Sequence, residues 1–219
     1  MLVRLVQKDV GVTNLIPYIE TAEADGVDLI CFSELATTGC LYERREVVPL
    51  EAVLASFAPY DLRILTGVAY LSQDGLRNAC VYYRQGFSQL YHKVNLFEPF
   101  NEHRVYTPGD ETGIWQTDLG AVGVAICYDA RFVSLFEDMK RAGAKMIFVP
   151  AAFPLERVDV YRSLLIEHAR MTKATVFGIN AVGSDGRNVF GGNSIAVSPD
   201  GTVLAEAARD REQVIDVRV

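Results

Sequence analysis

The chain has 219 residues, half of them hydrophobic and 22% charged, with a formal net charge of −7. That length allows one domain, spanning residues 1–219, with a sizeable core. The acidic balance argues against a nucleic-acid groove, which needs a basic surface, and no apolar run approaches the roughly 18 residues of a membrane span. In chain order, residues 2–7 read as a first strand. Residues 14–24 read as a helix whose apolar stripe is Leu15, Ile16, Tyr18, Ile19 and Ala22. A short buried strand over 27–32 and a weaker helix over 50–57 follow. Residues 63–70 and 78–83 are strands flanking a Gln73-Asp74-Gly75 turn, and 87–92 continues the hairpin after Gln85-Gly86. From 93 to 111 the pattern dissolves into a long loop punctuated by Pro99, Pro108 and Gly109.

Strands resume over 113–117 and 121–126. An amphipathic helix over 132–142 and a buried strand over 145–150 come next. Residues 159–172 form the clearest helix, with Asp159 as its expected N-cap. Strands over 176–181 and 193–198, a Pro199-Asp200-Gly201 turn, and strands over 202–206 and 213–219 complete the chain. Interleaved helices and strands, with some hairpins, predict an α/β layered fold. Cys31, Cys40, Cys80 and Cys127 form no Cys-x-x-Cys pair. Reduced thiols in a cytoplasmic protein are therefore expected. The opening residues carry Arg4 and soon meet Asp9, too short an apolar stretch for a signal peptide.

Three strands end on chemically useful groups. An uncharged run, Ala121-Val-Gly-Val-Ala-Ile, leads to the thiol of Cys127, followed by Asp129 and Arg131. Open α/β sheets bind ligands at the carboxyl ends of their strands, and a helix starting just beyond would favour the thiolate. Leu29-Ile-Cys-Phe-Ser-Glu34 delivers a carboxylate and Gln89-Leu-Tyr-His-Lys93 an ammonium. A free thiol with a pKa of about 8.5 is only slightly ionised at neutral pH. A carboxylate that takes its proton and a fixed cation that holds an oxyanion would complete a nucleophilic set. Taken singly, each residue also has an ordinary structural role: a core cysteine, a turn acid, a surface lysine.

These blocks resemble the carbon–nitrogen hydrolase (nitrilase) superfamily, whose catalytic set is Glu–Lys–Cys. The resemblance rests on Phe32-Ser-Glu34-Leu-Ala-Thr-Thr-Gly39, Tyr91-His-Lys93-Val-Asn-Leu96-Phe97, Glu102-His-Arg-Val-Tyr-Thr-Pro108-Gly109-Asp110 and Cys127-Tyr-Asp-Ala-Arg131-Phe132. Pro150-Ala-Ala-Phe153-Pro154, Glu167-His-Ala-Arg170, Gly178-Ile-Asn180 and Gly192-Asn-Ser194 follow in the family's order. The resemblance implies a four-layer αββα sandwich without metal or cofactor. It implies Glu34 as general base, Lys93 as oxyanion partner, Cys127 as nucleophile and Glu102 as the second glutamate that holds Lys93. The Tyr128 backbone N–H would be a second oxyanion donor. The Cys-Tyr-Asp-x-Arg-Phe form is similar to the branch of ω-amidases and deaminated-glutathione amidases. It implies a small carboxylate-bearing amide, with an N-carbamoyl compound or a nitrile as the alternatives.

Arg131 is then either a clamp for a substrate carboxylate or an ion-pair brace to Asp129 or Glu167. The chain departs from the family at Ser33, where proline is usual, and at Asn95, where histidine is common. The stretch between Gly39 and Asn78 is short, and the sequence ends at Val219 without the tail that often crosses the family's dimer interface. A homodimer or higher homo-oligomer built on the helices over 132–142 and 159–172 is expected. Two other readings stand beside this one. In one, Cys127 is served by His92, His103 or His168 instead, since histidine is the usual partner of a catalytic thiol. Or the chain is a silent binding subunit on the same fold.

Overall fold

The structure, a computed structural model, describes residues 1–43 and 46–219. Fourteen strands and five helices are named along these residues. The first half carries β1 (Leu2–Gln7), α1 (Ile16–Ala24), β2 (Leu29–Phe32), α2 (Leu50–Phe57), β3 (Arg63–Ser72), β4 (Gly75–Arg84) and β5 (Phe87–His92). Then follow α3 (Glu102–Val105), β6 (Gly113–Thr117), β7 (Gly120–Val124), α4 (Val133–Arg141), β8 (Met146–Ala151), α5 (Val158–Thr172) and β9 (Thr175–Asn180). The chain closes with β10 (Val182–Ser184), β11 (Val189–Gly191), β12 (Ile195–Val197), β13 (Val203–Glu206) and β14 (Gln213–Arg218).

Two six-stranded mixed sheets result, in the orders β14-β1-β2-β3-β4-β5 and β13-β12-β9-β8-β7-β6. Each keeps its parallel pairs at the centre: β1, β2 and β3 in the first, β7, β8 and β9 in the second. Central parallel strands are covered on both faces, so they read as unbroken apolar runs rather than alternating ones. In β2, Leu29 and Cys31 join the cluster between the sheets, with Val124, Phe148 and Phe177 of the second. Its alternate residues Ile30 and Phe32 meet Ile19 and Phe57, buried residues of the outer helices α1 and α2. On the far side Phe136 and Met139 of α4 and Tyr161 and Leu165 of α5 cover the second sheet. The expected αββα layering is thus borne out.

Two expectations need correction, and one hairpin was not expected at all. The stretch expected as loop over 93–111 holds the one-turn helix α3, which begins at Glu102. Residues 182–191 form the small hairpin β10–β11, too short and too glycine-rich to show a period. Asp159 is not the cap of α5. Arg157 occupies that position without a side-chain cap, and Asp159 sits in the first turn, paired with the exposed Arg209. The four cysteines are all free thiols.

Candidate active site

Glu34 lies just past the end of β2, where Leu35 turns the chain with φ 51°. The turn is pinned by Gly67 of β3, whose N–H donates to Ser33 O at 3.1 Å. The approach is so close that a Cβ at Gly67 would lie 2.4 Å from Leu35 N and 2.6 Å from Glu34 Cα. Only glycine fits there.

Lys93 follows β5. Its N–H donates to Asn78 O at 2.9 Å and its carbonyl accepts from the Gly109 N–H at 2.8 Å, which ties the strand end to the loop beyond. The side chain is buried, and Nζ donates to Glu34 Oε1 at 2.7 Å and to Glu102 Oε1 at 2.9 Å. Glu102 is fixed in turn by the Phe97 N–H, which donates to Oε2 at 2.7 Å. Asn78 Nδ2 donates to Glu34 Oε1 at 2.7 Å, and the Ala152 N–H donates to Oε2 at 2.9 Å. Both glutamates therefore have both oxygens engaged, as buried carboxylates require.

Cys127 stands three residues beyond β7 and opens a 3₁₀ turn, Cys127–Arg131, with its own φ at 49°. Asp129 within that turn is fully buried. Its Oδ2 accepts from the Tyr91 hydroxyl at 2.9 Å and from the Ile126 N–H at 3.0 Å. Glu34, Lys93, Glu102 and Cys127 converge on one cleft with ≈ 570 Å³ of empty space, open mouth included.

Electrostatics follow from burial and charge. Burial works against the Lys93 ammonium, but Glu102 and Glu34 outweigh it and hold its pKa well above the ordinary value. Burial pushes the Glu102 carboxyl up, against the pull of Lys93. The Cys127 thiol is raised by burial first and by Glu34 next; Lys93 and the Ala152 N–H act in the opposite direction. The short helical turn after Cys127 does not by itself make a thiolate. The proton must have somewhere to go.

Tyr128 and Arg131 also line the cleft. Among the described residues Arg131 makes no ion pair. Asp129 is taken by other donors, and the guanidinium lies 6.0 Å from the Tyr128 ring centroid. The bracing ion pair is therefore absent. Sequence reading missed Asn78, the clamp role of Asp129, and Arg157, a second exposed guanidinium at the mouth, 5.9 Å from the Phe97 ring. A charged residue two positions after the thiol was the one available signal for Asp129.

None of the histidines lines the cleft among the described residues. His168 Nε2 bonds Ala130 O at 2.7 Å, and its ring stacks on Phe136 at 3.5 Å. His92 Nε2 bonds the Tyr70 hydroxyl at 2.7 Å, and His103 is exposed. The Cys–His alternative has no geometry behind it.

An αββα sandwich with a glutamate, lysine and cysteine meeting at strand ends defines a particular class of protein. The chain belongs to the carbon-nitrogen hydrolase family, whose model matches residues 4–219. It is 37% identical over 120 residues to a 2-oxoglutaramate amidase of Bacillus subtilis (strain 168), a match covering 55% of this chain and 46% of that one. It is 28% identical over 225 residues to the human omega-amidase NIT2, covering 93% of this chain and 80% of that one. The matches to the Bacillus relative and to a hydrolase in the agr operon of Staphylococcus aureus span 46% and 45% of those proteins. Among solved structures, Saccharomyces cerevisiae Nit3, a member of branch 10 of the nitrilase superfamily, superposes with a TM-score of 0.85 at 22% identity, covering 99% of this chain and 89% of that one. At that identity the likeness speaks for the fold.

Proposed function

We propose that this chain hydrolyses a small, carboxylate-bearing linear amide to the acid and ammonia through a thioester on Cys127. The carrying observation is the Lys93 ammonium held between Glu34 and Glu102 in the cleft that contains the sulfur. Glu34 takes the thiol proton as Sγ attacks the amide carbon. Lys93 and the Tyr128 N–H stabilise the oxyanion. Collapse breaks the C–N bond, and Glu34 passes its proton to the leaving nitrogen, which departs as ammonia. Water then attacks the thioester, giving a proton to Glu34. The acid leaves, and the proton returns to sulfur.

The amide class is supported by relatives named as a 2-oxoglutaramate amidase, an omega-amidase and an (R)-stereoselective amidase. The carboxylate preference is supported by Arg131 and Arg157, two exposed cations at the mouth. Neither is in an ion pair among the described residues. Ammonia release from succinamate, an N-carbamoyl acid and an aliphatic nitrile tests the reading. Turnover of succinamate with loss in Cys127→Ala is expected, and turnover of the nitrile alone would overturn it.

A further inference from the structure

Two cavities meet at one wall. The cleft extends from the reacting set to Tyr42 and Phe100, and a second cavity with ≈ 430 Å³ of empty space, open mouth included, is lined by the same two residues. No other described residue lines both. Tyr42 belongs to the loop that follows Glu34, yet what holds it is the tip of the β10–β11 hairpin. Its hydroxyl donates to Asp185 Oδ2 and accepts from Asn188 Nδ2 at 2.6 Å. The Arg187 guanidinium lies 4.4 Å from the ring centroid, within cation–π reach. The tip is tied down in its turn, because Asp185 Oδ1 accepts from the Arg187 and Asn188 N–H groups at 2.9 and 2.8 Å. At the hairpin's base the Val182 N–H donates to Lys8 O and its carbonyl accepts from the Val10 N–H. Phenylalanine would fill the same gap but could not be gripped, so the hydroxyl marks a ring whose place is fixed.

The ring does not stand alone. Phe100 lies 6.5 Å from Tyr42, Phe97 lies 4.9 Å from Phe100, and Tyr128 lies 5.0 Å from Phe97, centroid to centroid. All four line the cleft, so Tyr42 is the clamped end of an apolar row that reaches the residue after Cys127. Such a row accepts a methylene chain laid along it. A bulky branch needs space of the kind that lies behind Tyr42 and Phe100, and only displacement of a ring opens it. Resting on the amide reading, we propose that Tyr42 is a specificity-determining residue. Its ring, gripped by the hairpin tip, is the partition that keeps the cleft apart from the second cavity and excludes amides with bulky acyl branches. Discrimination then depends on Asp185, 143 residues further along the chain. Burial and the bond to Asp185 oppose ionisation of the phenol, which keeps the hydroxyl a donor.

The test compares succinamate with succinamates that carry a benzyl group on either methylene carbon. The native protein should favour the unbranched amide by at least about a hundredfold in kcat/KM. Tyr42→Ala should cut that ratio about tenfold by raising kcat/KM for a benzyl compound. Asp185→Ala, which keeps the ring but releases it, should fall between, and it carries the test if Tyr42→Ala does not fold. A merely structural role would lower both amides together and leave the ratio alone. An unchanged ratio in the variants, or a native protein that turns over the benzyl compounds as well as succinamate, would overturn the proposal. Electrophiles of two sizes separate the wall from the reaction. Alkylation of Cys127 by iodoacetamide and by N-benzyliodoacetamide is followed by peptide mass spectrometry. A relative gain for the larger reagent in both variants supports the partition even if the native protein releases no ammonia from any amide, a result that would sink only the hydrolytic reading. Absence of that gain overturns the partition.

Discussion

Asn95 donates to one carboxylate oxygen of Asp129 from both its backbone N–H and its side-chain Nδ2, at 2.8 and 2.9 Å. The other oxygen takes the Tyr91 hydroxyl and the Ile126 N–H. One buried acid therefore joins the segment that carries Lys93 to the turn that carries Cys127, although the two lie in different sheets. The asparagine that departs from the family's common histidine is half of this rivet.

Asp129→Ala strands four donors, each costing about 1–3 kcal/mol when buried and unpaired. A loss of at least about 3 kcal/mol in urea unfolding is expected, and Asn95→Ala should cost less. Both variants should also slow acylation, because the thiol and the ammonium lose their shared reference point.

Lys93→Ala removes the proposed oxyanion donor and leaves Glu34 and Glu102 facing each other. A fall of about 10²–10³ in single-turnover acylation is expected. Lys93→Arg should not restore it, since a planar fork does not replace a point charge between two carboxylates. Near-normal acylation in Lys93→Ala would remove the lysine from the mechanism.

Thiol reactivity gives a pH test. Burial and Glu34 raise the Cys127 pKa while Lys93 lowers it. Alkylation by iodoacetamide should therefore climb as pH rises through and beyond 9, the ordinary thiol value. Removing the cation, in Lys93→Ala, moves that rise to higher pH. Removing the anion, in Glu34→Gln, moves it lower. Cys31 and Cys80 are fully buried in the core and should label only on unfolding. Labelling of Cys127 no faster than theirs would favour a silent binding subunit.

Gly67→Ala places a methyl group 2.4 Å from Leu35 N and 2.5 Å from Ser33 O, both backbone atoms. The Glu34 turn must shift. A stability loss of about 1–3 kcal/mol, together with loss of turnover out of proportion to it, is expected by denaturation and kinetics on the same preparation.

Lys8 is buried with Nζ donating to the carbonyls of Val12 and Asp9, and burial lowers its pKa to about 8. Between that value and the ordinary 10.5 the unfolded chain binds the extra proton. Stability should therefore rise with pH across this window. Lys8→Met should flatten that slope in denaturant titrations.

The layered fold was legible because the central strands are short, apolar and interleaved with amphipathic helices. The boundaries of β1, α2, β5 and β6 coincide with the patterned runs. The convergence of Glu34, Lys93 and Cys127 on one cleft was legible because each closes a strand or a named block. Glu102 shows the limit: its block was visible, but a helix of four residues has too few positions to show a period. Asn78 and Arg157 were hidden for another reason. Each matters through what it meets across the fold, and nothing in its immediate neighbours distinguishes an asparagine in a strand or an arginine in a turn. Arg131 was undecided until Asp129 proved to be occupied.

Cys127 occupies a left-handed backbone position, and so does Leu35 beside Glu34. Side-chain-bearing residues held there cost on the order of 1–3 kcal/mol each. The native scaffold thus carries a tension concentrated at the point of reaction. Selection for a hardier variant would find an easy gain in glycine at position 127, and that gain would extinguish the thiol. Robustness and reactivity compete at the same backbone corner, so heat-tolerant forms of this protein must find their margin elsewhere.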